Sequence, residues 1–148
     1  MRIAQVAPLI ESVPPKHYGG TERIVSYLTE ELVRAGHDVT LFASGDSITR
    51  ARLIAGCRGS LRLNKGCVDH LAHHLVMLDQ VLEHAREFDV IHFHTDYLHF
   101  PVSRYLPVPH ITTLHALGAA AARSRAPPQL SLKTDSAGTR SIKDSTAS

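Results

Sequence analysis

The sequence predicts an α/β fold, a Rossmann-like three-layer architecture with a parallel sheet between two layers of helices. Short apolar segments of strand character alternate with amphipathic helical segments over residues 1–115, which is the pattern of a parallel sheet covered on both faces. A proline-rich loop after the first apolar segment leads to Gly19 and Gly20 at the start of a helix. With 148 residues, 43% of them hydrophobic, the chain is long enough for one domain with its own core.

The first strand, helix and second strand are predicted to form a βαβ unit with parallel strands over residues 2–7, 21–36 and 38–43. The Thr21 hydroxyl is expected to cap the helix, and Gly36 is expected to end it. Glu22 is assigned to the solvent face. The residues expected to pack against the sheet are apolar and recur at helical spacing: Ile24, Val25, Leu28, Leu32 and Ala35.

The middle of the chain is predicted to be mostly irregular over residues 44–66, with a short strand at 52–54. A second helix follows over residues 68–87. Its expected core stripe consists of apolar residues about one turn apart: Leu71, Leu75, Leu78, Leu82 and Ala85. The remaining elements follow in the order strand, short helix and strand: residues 88–94, 97–105 and 110–115.

The composition changes at Ala116. All 11 histidines, all four tyrosines and all four phenylalanines lie at or before His115. Residues 116–148 are mostly small, polar or basic and offer little apolar surface to offset the entropy of ordering. We therefore assign residues 1–115 to the folded domain and residues 116–148 to a disordered tail or to a segment read out of frame after a frameshift.

Charge and cysteine content restrict the classes of partner. The net charge of +2 is too small to favour nucleic acid or an anionic membrane as a partner. No apolar run reaches the roughly 20 residues that span a bilayer, and no secretory leader is recognised, so a cytoplasmic location is expected. Cys57 and Cys67 are expected to be reduced there, and their spacing matches no zinc or redox motif.

The glycine pair is the first candidate site. Backbone N–H groups at a helix start favour anions, and glycine allows a ligand to approach the backbone closely. Gly19, Gly20 and Thr21 are therefore candidate substrate-binding residues, with a plain turn as the alternative. The dinucleotide fingerprint and the Walker A motif are both absent, which leaves Asp46 without the context of a ribose-binding acid.

Histidines and carboxylates provide the other candidates. His92, His94 and Asp96 lie at the end of a predicted buried strand and are expected to line a sugar or phosphate pocket, with a metal site as the alternative. His115 ends the last predicted strand and could hydrogen-bond a sugar hydroxyl or a reacting group. A further group on the second helix is interpreted as a solvated flank, with a metal site again as the alternative: Asp69, His70, His73 and His74.

Four ordered blocks, GGTE, AGHDVTLFASGDS, FDVIHFH and TTLH, resemble the N-terminal half of glycosyltransferase family 4 enzymes over residues 1–115. The resemblance implies the GT-B architecture, in which two Rossmann-like domains face each other across a cleft. It also implies transfer of a hexose from a nucleotide-sugar to an acceptor with retention of configuration. The resemblance implies no metal. It also implies no cofactor, because the nucleotide-sugar is a co-substrate.

The resemblance also suggests roles for individual residues. It implies that Gly19 and Gly20 lie beside the donor diphosphate and acceptor, that His92 and His94 line the cleft, and that His115, the candidate catalytic residue, lies near the transferred sugar. No segment of the sequence corresponds to the family's second domain, which carries the paired-glutamate E-x7-E motif. We therefore expect little or no transferase activity from this chain alone, with a separate chain as the candidate source of the missing domain. The alternatives are a non-catalytic module that binds a sugar or nucleotide and a misfolded remnant.

Overall fold

The computed structural model describes residues 1–62, 64 and 66–115. Five strands form one sheet: β1 (Arg2–Val6), β2 (Asp38–Ser44), β3 (Arg52–Cys57), β4 (Val90–Phe93) and β5 (His110–Thr112). Three helices accompany it: α1 (Gly20–Arg34), α2 (His70–His84), which continues into a 3₁₀ turn at Ala85–Glu87, and α3 (Phe100–Ser103). The proposed tail, residues 116–148, lies outside the described residues.

The strands are arranged in the order β3-β2-β1-β4-β5, and every pair is parallel. Ile3 pairs with Val39 on one side of β1 and with Val90 on the other. The chain therefore builds outward from β1 through β2 and β3, then crosses back to place β4 on the other side. This reversal next to β1 is the topological switch point of an open α/β sheet.

Alternation along β2 separates two cores, one on each face of the sheet. Phe42 packs on one face with Met77, Leu78 and Val81 of α2. On the other face is a smaller cluster in which β2 meets α1 and the loop after β1: Ala7, Val13, Val25, Leu41 and Ala43. Successive strand side chains point to opposite faces, so helices cover both sides and the predicted three-layer α/β fold is confirmed.

Helix α1 buries a different face from the one predicted. Its buried residues are Glu22, Val25, Ser26 and Thr29, whereas Ile24 is 52% exposed. The assignment of Glu22 to solvent was therefore wrong. The capping prediction was also wrong, because Thr21 lies inside a helix that begins at Gly20 and has no side-chain cap. Small polar side chains face the sheet here, so hydrophobicity alone misplaced the stripe.

Helix α2 begins at His70, and its N-terminus is capped by the Asp69 carboxylate, which accepts hydrogen bonds from two backbone N–H groups. Its buried residues are His74, Met77, Leu78 and Val81. Leu78 was predicted correctly. The predicted leucines of the first turns lie outside the core, Leu75 being 53% exposed, and His74 takes the buried position one residue earlier.

Other boundaries also differ from prediction: β4 and β5 are shorter than the predicted 88–94 and 110–115, so His115 lies beyond the strand it was expected to end. Strand β3 extends to Cys57, past the predicted end at residue 54, and helix α3 covers only part of residues 97–105. Both Cys57 and Cys67 are free thiols, as expected. Within the described ranges, no helix is long and apolar enough to cross a membrane.

Candidate functional site

The candidate residues lie on loops at the carboxyl edge of the sheet. The glycine loop, residues 7–19, follows β1, while His94 and Asp96 follow β4, and His115 follows β5. Because β1 neighbours β4 and β4 neighbours β5, these loops emerge next to one another. The edge is therefore the crevice in which open α/β sheets bind ligands.

His94 links three strands at this edge. It is buried, with 2% of its surface exposed. Its Nε2 lies 2.8 Å from Oε1 of Gln5 on β1, and its Nδ1 lies 2.9 Å from Nε2 of His115. Burial, followed by the neighbouring rings of His92 and His115, lowers the pKa of His94 to about 3. The ring is therefore neutral near pH 7 and can both donate and accept a hydrogen bond.

His115 is held through its backbone as well as its ring. The backbone N–H of His115 donates to Oδ1 of Asp96 at 2.8 Å. Asp96 has a φ of 50°, in the left-handed region that asparagine and aspartate tolerate best among non-glycine residues. This unusual backbone turns the Asp96 carboxylate toward the end of β5. Two of the predicted site residues thus fix the position of a third.

His92 lies beside this arrangement. Its ring centroid is 4.1 Å from that of His94, and its Nε2 lies 2.8 Å from Oγ1 of Thr113. Burial, with a smaller contribution from His115, lowers the pKa of His92. The structure therefore brings His92, His94, Asp96 and His115 together. Over the residues described, no group of three or more His, Cys, Asp or Glu side chains is arranged to hold a metal ion.

The two glycines of the loop have different surroundings. Gly19 is buried, and a Cβ added there would lie 2.8 Å from both Oε2 of Glu22 and Cβ of Pro15. An added Cβ at Gly20 would meet nothing within 4 Å. Gly19 therefore allows the loop to close tightly over Glu22. Gly20, at the first turn of α1, presents open backbone next to the N–H groups of the helix.

An ion pair between a buried carboxylate and a partly exposed guanidinium holds the loop from the side. Glu11 is almost fully buried, and its Oε1 forms a salt bridge with Nε of Arg62. The guanidinium of Arg62 also lies 5.9 Å from the ring centroid of Tyr18. The backbone N–H groups of Leu61 and Arg62 donate to the carbonyls of Leu9 and Ile10 at 2.9 and 3.0 Å. The loop is thus attached to the segment after β3.

Glu22 is close to the same pair. Burial, the largest influence, raises the pKa of the Glu22 carboxyl, and the negative charge of Glu11 acts in the same direction. Arg62 opposes this effect by its positive charge. A carboxyl whose charged form is disfavoured therefore lies directly beneath the glycine turn.

Asp46 has a structural role rather than the open position of a ribose-binding acid. Its carboxylate accepts hydrogen bonds from the backbone N–H and the hydroxyl of Ser60 and from Nζ of Lys16. Burial alone would raise its pKa, but hydrogen bonds from Ser44, Lys16 and Ser60 outweigh that effect and lower it to about 2. Asp46 therefore joins the end of β2 to the glycine loop.

Some residues that build the site were not predicted. Gln5 and Glu11 were not among the candidate site residues. A buried polar side chain in a central strand must find a hydrogen-bond partner, so Gln5 offered a signal. No sequence signal pairs Glu11 with Arg62, because that contact depends on the fold of residues 44–66.

Comparisons with known proteins agree with this fold. A family model described as Glycosyltransferase Family 4 matches residues 18–142 and so continues beyond His115. One similar crystal structure is that of AviGT4, a glycosyltransferase involved in avilamycin A biosynthesis. The two are 24% identical with a TM-score of 0.50, and the match covers 76% of this chain and 31% of that chain. The structure of sucrose-phosphate synthase from Thermosynechococcus elongatus is also similar. It is 18% identical with a TM-score of 0.55, and the match covers 87% of this chain and 36% of that chain. The chain thus spans about a third of their length, and no curated protein matches it.

Proposed function

Because the chain belongs to glycosyltransferase family 4, we propose that residues 1–115 form the acceptor-side wall of a sugar-transfer cleft. The reaction would move a hexose from a nucleotide-sugar to a small-molecule or glycan acceptor with retention of anomeric configuration. The carboxyl-edge cluster of His92, His94, Asp96 and His115 is the observation that supports this proposal most directly.

His115 is the proposed catalytic residue. Its backbone is held by Asp96 and its ring by His94, at distances of 2.8 and 2.9 Å. A ring fixed in this way can hydrogen-bond a hydroxyl of the transferred sugar without the entropic cost of ordering a mobile side chain. His92 and His94 remain neutral near pH 7 because burial lowers their pKa values. They therefore supply polar, uncharged lining for a sugar.

The glycine loop would meet the phosphate end of the donor. Gly20 offers an unobstructed backbone, and Thr21 lies in the first turn of α1, where N–H groups have no partner within the helix. The positive end of the helix dipole favours a diphosphate at this place. Gly19 contributes by permitting the close packing that fixes the turn.

We propose that residues 1–148 have no transferase activity by themselves. Transition-state stabilisation requires groups on all sides of the developing charge, and the described residues form one wall. The family's second domain would supply the other wall, either from the same gene or from a separate chain. The proposal requires no metal ion and no cofactor.

The test compares this chain alone with the chain supplemented by the product of the downstream reading frame. Sugar transfer is measured with UDP-, GDP- and ADP-sugars. We expect turnover only in the supplemented sample, and a loss of roughly 100-fold on His115→Ala. The control is His37→Ala, at the opposite edge of the sheet, which should leave turnover unchanged.

Three results would contradict the proposal or part of it. Appreciable turnover by residues 1–148 alone would show that the second wall is unnecessary. Binding of a sugar or nucleotide without turnover in every combination would favour a non-catalytic binding module. An unchanged rate for His115→Ala would remove the catalytic role of that residue.

A further inference from the structure

The three side chains of Gln5, His94 and His115 form a linear hydrogen-bonded chain. It runs from Oε1 of Gln5 to Nε2 of His94 at 2.8 Å, and from Nδ1 of His94 to Nε2 of His115 at 2.9 Å. Gln5 and His94 are buried, whereas His115 is half-buried at the edge of the site. The chain therefore leads from the interior of the sheet to the candidate catalytic ring.

The chemistry of the groups sets the direction of every hydrogen bond in this chain. An amide oxygen only accepts, so Nε2 of His94 must carry the hydrogen that lies between His94 and Gln5. A neutral imidazole carries one hydrogen, which leaves Nδ1 of His94 as an acceptor. The ring of His115 must then donate from Nε2. In its neutral form, His115 has its lone pair on Nδ1.

We propose that Gln5 and His94 are positioning residues that hold His115 in the Nε2–H tautomer, so that Nδ1 is the atom presented to a substrate hydroxyl. The identity of the substrate rests on the proposed function, whereas the tautomer of His115 is inferred from the hydrogen bonds alone. In the transfer reaction, Nδ1 accepts a hydrogen bond from a hydroxyl of the sugar, and no covalent bond forms or breaks at the ring.

The backbone supports the same orientation of His115. The hydrogen bond from its backbone N–H to Asp96 fixes where the side chain starts, and the contact with His94 fixes where its Nε2 ends. The remaining nitrogen is therefore directed by two constraints at opposite ends of the residue. A ring held only by the backbone would be free to present either nitrogen.

The wild-type chain provides the first test, with histidine rings labelled with ¹⁵N and observed by NMR above pH 7. We expect the neutral ring of His115 to show hydrogen on Nε2 and a lone pair on Nδ1. His74 serves as an internal reference of the opposite tautomer, since its Nδ1 lies 2.7 Å from the carbonyl of His70 and its Nε2 accepts from Leu9. A His115 ring with its hydrogen on Nδ1 would overturn the proposal.

Two variants test the positioning role separately. Gln5→Leu removes the acceptor and frees His94 to adopt either tautomer, and His94→Phe keeps a ring but removes both nitrogens. Each should convert His115 from one tautomer to a mixture of two. The matched control is His110→Gln on β5, outside the chain of hydrogen bonds, which should leave the spectrum of His115 unchanged. Unaltered His115 signals in both variants would also overturn the proposal.

Activity measurements on the supplemented enzyme separate this inference from the proposed function. Gln5→Leu should lower kcat roughly 10-fold and leave KM for the donor nearly unchanged, because it alters a group acting in the transition state. If the tautomer is as stated but no sugar is transferred, the proposed function fails and the positioning role stands. If transfer occurs and Gln5→Leu leaves kcat unchanged, the positioning role fails.

Discussion

The backbone N–H of Leu9 donates a hydrogen bond to Nε2 of His74 at 3.0 Å, joining the glycine loop to helix α2. Nδ1 of the same ring lies 2.7 Å from the carbonyl oxygen of His70, so the imidazole has a partner on each side. Burial is the largest cause of the lowered pKa of His74, and the nearby His70 and His73 rings add to it. A helix residue thus satisfies a loop N–H that the sheet cannot reach.

Replacing His74 with leucine should therefore destabilise the loop. The N–H of Leu9 would remain buried without an acceptor, which costs about 1–3 kcal/mol. Chemical denaturation should show this loss, and hydrogen exchange should be faster at the Leu9 amide. The control is His70→Ala, which removes an exposed ring but keeps the backbone carbonyl. Unchanged protection of Leu9 in His74→Leu would contradict this account.

Alanine at Gly19 and at Gly20 should have opposite consequences. A Cβ at Gly19 would lie 2.8 Å from Pro15 Cβ and Glu22 Oε2, so the loop must shift, at a cost of about 1–3 kcal/mol. At Gly20 the added methyl meets nothing within 4 Å and improves helix propensity by roughly 0.5–1 kcal/mol. Thermal unfolding of the two variants checks both signs. Equal melting temperatures would rule out the steric explanation.

The ion pair between Glu11 and Arg62 should show strong coupling. Arg62→Ala leaves a buried carboxylate without its cation, and we expect a loss of roughly 2 kcal/mol, moderated because the Arg62 side chain is 45% exposed. Adding Glu11→Gln in the same chain should recover most of the loss. The exposed pair of Glu31 and Arg34 provides a matched control, which should show little coupling. A double-mutant cycle with no coupling for Glu11 and Arg62 would contradict the expectation.

Acid should destabilise the domain through two buried histidines. Burial, together with neighbouring histidines, lowers the pKa of His94 to about 3 and that of His99 to about 4, whereas unfolded histidine titrates near 6.5. As the pH falls below about 6.5, these two histidines bind protons in the unfolded chain but not in the native state, so the free energy of unfolding decreases. Above that pH the contribution to stability is fully present.

The free energy of unfolding changes by about 1.4 kcal/mol per pH unit for each proton that the unfolded chain binds and the native state does not. Between pH 6.5 and pH 4.5, the two rings together should lower the free energy of unfolding by several kcal/mol. Denaturant titrations at a series of pH values measure it. His94→Phe should reduce the slope by about one proton. A free energy of unfolding that stays constant over this range would show that the two rings are accessible to protons.

Strand positions were predicted better from the sequence than helix faces. The apolar segments around Ile3, Leu41 and Ile91 were placed correctly because buried parallel strands appear as short continuous apolar segments. The face of α1 was misplaced because Ser26 and Thr29 are buried where Ile24 was expected. Hydrophobic periodicity assumes that the most apolar face is buried, and a helix that covers only part of a sheet need not obey it.

The grouping of site residues was predictable only at the level of the sheet edge. The strand-end positions of His92, His94 and His115 indicated one crevice. The hydrogen bond from His94 to Gln5 could not be foreseen, because it depends on the pairing of β4 with β1 and on the register that sets Gln5 opposite His92. Neither register nor side-chain direction is encoded locally. The assigned roles of these three histidines stay predictions, as do those of Gly19, Gly20, Thr21 and Asp96.

The switch in strand order next to β1 also determines how late in synthesis the candidate site can form. Strands β1 to β3 and helix α1 lie within the first 57 residues, so their sheet can assemble on a nascent chain. In contrast, Arg2 and Asp89 are 87 positions apart, and the Asp89 carboxylate accepts a hydrogen bond from the Arg2 backbone N–H just before β4 begins. Such distant contacts form slowly. The carboxyl-edge cluster can therefore form only after the ribosome has released His115, and until then the edge of β1 stays open to pairing with other strands.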